Sequence, residues 1–332
     1  MQNKIISKKH KTKRYNTLIL ICTLIFLMQN CQEHSLLFNP LSENNNNTIP
    51  VPDTIEAEPS ENDPRKCGLC SPEGKGEETV PILDPITIPE ELPNFSDLSA
   101  DMPPVRSQGI QGSCTAWATT YYLKSYHEKI QHGYDYTTYE HVMSPAFIYN
   151  QLVGGNCDAG SVIPRALELL KTQGVNTWSD FPYSDQECTN LPDATLLEKA
   201  AKNKIEDYFL TSVPEDNTDP NYTVINIMKA LLVDKKPVIA GLDWKNLIFQ
   251  EEDGETIARS FSTEPVIDCG HAVLIVGYDD DIKAFKFINS WGTEWGNEGY
   301  GWIDYAFYLP SDDTKFQEGS GGTCIVAFDK VD

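Results

Sequence analysis

Basic residues are scarce in this chain. It carries 26 Lys and Arg against 49 Asp and Glu, a formal charge of -23, and six of the 26 (Lys4, Lys8, Lys9, Lys11, Lys13 and Arg14) precede position 31, where no acidic residue stands. From position 32 onward the balance is 20 basic against 49 acidic residues. So acidic a body repels phosphate backbones and anionic membrane surfaces, which excludes nucleic acid as a partner and suits solubility at the cell exterior. Long apolar runs are missing too. The run Thr17 to Met28 is long enough for the centre of a signal peptide but short of the about 20 residues of a membrane span. There is no internal repeat, and no second cysteine pair that would complete a zinc site with Cys67 and Cys70, so no metal or cofactor is implied.

What is present divides the chain in three. Residues 1–31 read as an export signal, with Cys31 just after the apolar run as a lipidation candidate; membrane contact is expected only through that anchor. Residues 32–91, with Asn44 to Asn47, scattered prolines and little apolar periodicity, read as an acidic spacer that could serve as a pro-segment. Residues 92–332 form the globular part, expected to be monomeric. Of nine cysteines, Cys22 and Cys31 belong to the leader and Cys114 is needed as a free thiol, which leaves an even set of six: Cys67, Cys70, Cys157, Cys188, Cys269 and Cys324. Such a set fits an oxidising compartment, and spacing alone does not choose among its pairings.

Helical signals dominate the first half of the globular part. Cys114 to Ile130 reads as a helix stopped by Gly133, Ser144-Pro145 as the cap and first turn of another, and Ser161 to Thr172 as a third with Ile163, Ala166, Leu167 and Leu170 on one face. After a further helix over Tyr222 to Val233 come short runs rich in β-branched and aromatic residues: Pro237 to Leu242, Ala272 to Tyr278, Phe285 to Ser290, Tyr300 to Asp304 and Thr323 to Phe328. Helices followed by strands predict an α+β protein of two lobes with a cleft between them.

Chemistry gathers at three places. Cys114 falls where a glycine-bearing loop becomes a helix, so the helix dipole and a nearby imidazolium would hold it as thiolate. His271 precedes the apolar strand from Ala272, where it would pair with the thiol and later protonate a leaving amine. Asn289 ends another strand, and its amide oxygen would orient that ring. Gln108, six residues before Cys114, would offer a side-chain N–H that forms an oxyanion hole with the Cys114 backbone N–H.

These residues resemble the papain-like cysteine peptidase family, through Pro104 to Gly109, Gly112-Ser113-Cys114, Gly270-His271-Ala272-Val273 and Asn289 to Gly296. The resemblance implies a helical left lobe, a β-rich, barrel-like right lobe, and endopeptidase chemistry on peptide or protein substrates through a thioester. An exopeptidase, a transpeptidase or a catalytically silent binding protein are the competing readings. It also implies that Gly160 meets the substrate backbone and that Trp291 shields the Asn-His pair. Three departures stand out. Gln111 and Thr115 occupy positions where the family has a bracing cysteine and an aromatic, so Cys157 is expected to pair with Cys188 instead, and Cys269 with Cys324. The interval from Cys114 to His271 is longer than usual, with the excess expected in an acidic loop from Lys245 to Val266. No long helical inhibitory segment is visible before residue 92.

Overall fold

A computed structural model describes residues 68–69, 80–214, 217–262, 270–309 and 323–331. The leader with Cys31, most of the spacer, Cys67, Cys70 and Cys269 lie outside the described residues.

One long helical run opens the helical half: α1 (Cys114–Ala116), a π-helical stretch (Trp117–Lys124) and α2 (Ser125–His132). Gly133 ends it at φ 70°, a left-handed conformation that only glycine adopts without strain. The π-helical stretch is buried throughout, and the Trp117 ring packs on Tyr121, Trp178 and Tyr183 with centroids 4.7, 6.0 and 5.0 Å away. Helix α3 (Pro145–Val153) starts as predicted, with the Ser144 hydroxyl accepting from the Phe147 N–H and Pro145 in the first turn. Helix α4 (Ile163–Thr172) buries Ile163, Ala166, Leu167 and Leu170 as one face. It begins two residues later than Ser161, because Ser161 is extended and pairs with Leu69. Two further helices, α5 (Ala194–Ala200) and α6 (Val224–Val233), are capped by Asp193 and Thr223.

The strands are β1 (Phe95–Asp97), β2 (Ile205–Leu210), β3 (Val238–Asp243), β4 (Leu247–Glu252), β5 (Glu255–Phe261), β6 (Gly270–Asp279), β7 (Ala284–Ile288), β8 (Tyr300–Asp304) and β9 (Thr323–Asp329). They form one sheet in the order β2-β9-β3-β6-β7-β8-β5-β4, with β1 added to β6. Strand β6 is its centre: His271 to Tyr278 are all buried, as the apolar run requires of a strand covered on both faces. The α+β expectation of helices in one half and a β-rich second half holds.

Two boundaries differ from the sequence reading. The stretch Lys245 to Val266 is not a plain loop but carries the hairpin β4-β5, turned at Asp253 and Gly254 with φ 51° and 86°. Its acidic residues hid the strands; Arg259 holds Glu252 and Asp304 at 2.8 and 2.9 Å. Ahead of residue 92, Leu83 is buried, the Leu83 N–H donates to Leu210 O at 2.9 Å, and the Ile86 N–H donates to the Tyr222 hydroxyl at 3.0 Å. The chain therefore joins the domain before the boundary its composition suggests.

Buried His127 on α2 makes stability depend on pH. Burial, and then the Lys124 charge, pull its pKa down to about 3. The unfolded chain binds a proton on this ring near pH 6.5, so the stabilisation is complete above 6.5 and is lost as pH falls toward 3. At about 1.4 kcal/mol per pH unit, about 3 kcal/mol should go between pH 6.5 and 4. Thermal denaturation of His127→Gln is expected to show a flatter acid limb than wild type; an identical limb would mean that His127 is not held neutral.

Candidate active site

The predicted site residues meet where the helical run abuts β6. Cys114 is the first residue of α1 and is fully buried, and its sulfur lies against the backbone N–H groups of Ala272, Gly68 and Thr115. Ala272 directly follows His271 on β6, so the histidine and the cysteine belong to the same junction between the helical run and the sheet. Asn289 stands one residue past β7, the antiparallel neighbour of β6.

The hydrogen bonds at Asn289 settle which way the imidazole faces. Asn289 Oδ1 accepts from the Ser290 backbone N–H at 2.8 Å, and an N–H can only donate, so this atom is the amide oxygen. His271 Nε2 lies 2.8 Å from the same oxygen and must therefore carry the proton. Nδ1 is left as the basic nitrogen, buried and without a partner among the described residues. The Tyr122 hydroxyl, on the helical run that starts with Cys114, donates to Asn289 O at 2.8 Å and ties the two strand-borne groups to the cysteine helix.

Aromatic rings enclose the pair. Trp291 stands 4.6 Å from the His271 ring, centroid to centroid, and Trp244 stands 4.8 Å from both. Sequence reasoning placed Trp291 here but missed Trp244, a lone tryptophan just before the acidic stretch with no motif around it.

Gln108 is fully buried in the loop before the cysteine. Its Nε2 donates to Gln111 O at 2.8 Å, and its Oε1 accepts from the Ser290 hydroxyl at 2.5 Å. Because the Ser290 hydroxyl claims the oxygen, the amide nitrogen is held on the side of the 111–114 turn. Gln108 N–H donates to Ser290 O at 2.8 Å, and Ser107 pairs with Trp291, so the cysteine loop is stitched to the asparagine block.

Gly68 and Leu69 lie across this site. The Leu69 N–H donates to Gly270 O at 2.9 Å, while Gly68 O accepts from the Ser161 N–H at 2.7 Å. Leu69 pairs antiparallel with Gly270 and parallel with Ser161, so two residues of the chain bridge the two walls of the cleft as a short extra strand. A methyl group on Gly68 would stand 1.9 Å from Gly112 O, so only glycine passes over the cysteine turn at that point. The Leu69 side chain reaches toward Gly241 and lies beside Ile163. The backbone contact to this strap comes from Ser161, next to the expected Gly160.

Burial under the strap sets the electrostatics. It pushes the Cys114 thiol up, against the backbone N–H groups of Ala272, Gly68 and Thr115 that favour thiolate, and it pulls His271 down to about 4, against the Asn289 bond. In both groups burial is the largest influence, and it works against the thiolate–imidazolium pair by favouring the neutral forms.

The sequence profile of the papain family of cysteine proteases matches residues 92–308, roughly two thirds of the chain. The chain belongs to the papain family of cysteine proteases. This family member is 24% identical over 246 residues to the viral cathepsin of Orgyia pseudotsugata multicapsid polyhedrosis virus, covering 68% of each chain. It is 26% identical over 202 residues to a senescence-specific cysteine protease of Oryza sativa subsp. indica, covering 59% of this chain and 52% of that one. Its fold is like that of xylellain, a cysteine protease from Xylella fastidiosa, with TM-score 0.57, 24% identity, and coverage of 80% and 98%. Digestive procathepsin L2 proteinase from Tenebrio molitor larval midgut gives TM-score 0.57 at 20% identity, covering 80% of this chain and 78% of that one.

Among this papain-family chain's cysteines, Cys157 and Cys188 are bridged as expected, with Cα atoms 5.5 Å apart. Cys324 does not form the disulfide expected of it, and Cys269 lies outside the described residues. Cys324 is a free thiol on β9, and burial pushes it up to about 12, which leaves it inert.

Proposed function

We propose that this chain is a cysteine endopeptidase in which Cys114 is the nucleophile, His271 the base and acid, Asn289 the group that orients the ring, and Gln108 with the Cys114 backbone N–H the oxyanion donors. The thiol gives its proton to His271 Nδ1, and the thiolate attacks the carbonyl carbon of the scissile bond. The C=O electrons move to oxygen, where the two N–H groups receive the charge. On collapse the C–N bond breaks, His271 protonates the departing amine, and a thioester to Cys114 remains. Water, deprotonated by His271, then attacks the thioester; the C–S bond breaks and the free acid leaves.

The observation that carries this reading is the strap. Gly68 and Leu69 are internal residues bonded to Gly270 and Ser161 on either side of Cys114, so the cleft takes polypeptide that continues in both directions. That favours an endopeptidase over an enzyme that trims chain ends, and hydrolysis over mere binding, since binding alone needs no thiol at the crossing point. The same contacts make the spacer a pro-segment that keeps the site shut until it is displaced. The basic, apolar leader supports export to the cell envelope or beyond, with Cys31 as the candidate lipid anchor.

A peptide-like epoxide or fluoromethyl ketone tests the assignment. The expected adduct is a single one on Cys114, absent in Cys114→Ala, accompanied by cleavage of unfolded protein under mild reductant. Neither labelling nor cleavage in a chain freed of its strap would overturn it.

A further inference from the structure

The nucleophile loop has Gln111 where the family pattern has a bracing cysteine, and Gln111 is only 1% exposed and Gln108 fully buried. What holds the loop is a set of hydrogen bonds from the neighbouring 183–188 segment. Gln111 Nε2 donates to Ser184 O at 3.0 Å and to Glu187 O at 3.1 Å, so one side-chain amide grips two carbonyls. That segment is itself anchored one residue on, through Cys188 to Cys157. The Tyr183 hydroxyl donates to Gln108 O at 2.7 Å. Having spent its only proton, it accepts at 2.7 Å from Ser113, the residue directly before the cysteine. A relay thus runs from Ser113 through Tyr183 to Gln108, and Trp117 fixes the phenol edge-on with centroids 5.0 Å apart.

These bonds end on Gln108, one of the two residues whose N–H groups must converge on the oxyanion, and on Ser113, directly before the other. Tyr183 grips the carbonyl of Gln108 and the neighbour of Cys114; Gln111 offers its own carbonyl to the Gln108 side chain at 2.8 Å. We infer that Tyr183 and Gln111 are positioning residues for the oxyanion hole, a hydrogen-bonded brace standing in for a disulfide. The inference rests on Gln108 being an oxyanion donor. A donor misplaced by a fraction of an ångström loses transition-state stabilisation without weakening substrate binding, so the cost falls on kcat.

The test compares Tyr183→Phe, Gln111→Met and Gln108→Ala in the full chain carrying Leu69→Asp, a background with an open cleft whether or not wild type is shut. Tyr183→Phe removes one oxygen and keeps the ring packing; Gln111→Met keeps the volume and removes the amide. Each is expected to lower kcat about tenfold with KM unchanged, short of the about 100- to 1000-fold loss for Gln108→Ala. Alkylation of Cys114 by iodoacetamide, which builds no oxyanion, should keep its rate in both brace variants. Unchanged kcat in Tyr183→Phe and Gln111→Met overturns the inference. So does a parallel fall in kcat and alkylation rate, which would place the brace on the thiol instead of the hole. An unchanged kcat in Gln108→Ala would instead refute the oxyanion donor itself, and a shifted melting temperature in Gln111→Met leaves Tyr183→Phe as the deciding variant.

Discussion

Replacing His271 by alanine is expected to lower kcat/KM on an unfolded-protein substrate by about 100- to 10,000-fold, the range for loss of a general acid–base group. The ring is the group that can both take the thiol proton and return one to the leaving amine, since its Nδ1 has no other partner among the described residues. Asn289→Ala should cost less, because it removes the 2.8 Å bond that fixes the tautomer and leaves the base in place. The pH profile separates the two effects. Without Asn289 the bond that favours imidazolium is gone, so the acid limb of kcat/KM should move to lower pH. A His271→Ala enzyme with wild-type kcat/KM would remove His271 from the mechanism.

Leu69→Asp should act in the opposite direction and raise the activity of the full chain about 10- to 100-fold. Withdrawing a leucine from apolar contact costs about 1.5 to 3 kcal/mol when burial is complete, and a carboxylate beside Ile163 adds its own desolvation penalty. Leu69 is half-buried, which sets the gain from lost packing toward the lower end. Acid should favour the same opening. Burial, to which Trp244 and Trp291 also contribute, holds His271 at about 4 against about 6.5 for a solvated ring, so an opening that admits water to the ring takes up a proton and becomes easier as pH falls. The labelling rate of the full chain, divided by that of Leu69→Asp, is therefore expected to rise from pH 7 to 5. The series is run with and without reductant, because Cys70 follows Leu69 and Cys269 precedes Gly270 in the sequence. If Leu69→Asp is no faster than wild type at any pH, the strap does not inhibit.

The places of the candidate site residues in the fold were legible because each sits where a local rule speaks: a helix start for Cys114, a strand start for His271, a strand end for Asn289. The long periodic elements were legible for the same reason, as in the four-residue apolar face of α4. The strap was not. Gly68 and Leu69 carry no periodicity, and Leu69 pairs with Ser161 and Gly270, far along the chain, which composition does not register. The hairpin β4-β5 was hidden because its polar faces are balanced by Arg259, a long-range ion pair that a local reading counts only as acidity. Tyr183 and Gln111 were missed as functional residues since nothing about an isolated Tyr or Gln announces which carbonyl it will meet.

The stitching of Ser107 and Gln108 to Ser290 and Trp291 has a consequence for how the molecule tolerates damage. Nucleophile, base and oxyanion donor come from opposite ends of the sequence but are fastened along one seam. The hairpin β4-β5, at the far edge of the sheet, takes no part in that seam. A cut at its Asp253-Gly254 turn would leave two pieces still joined by strand pairing, by the Gln108–Ser290 and Tyr122–Asn289 hydrogen bonds and by the Arg259–Glu252 ion pair. A chain nicked there is expected to keep its seam, and gel filtration of the nicked protein would check that the two fragments stay together.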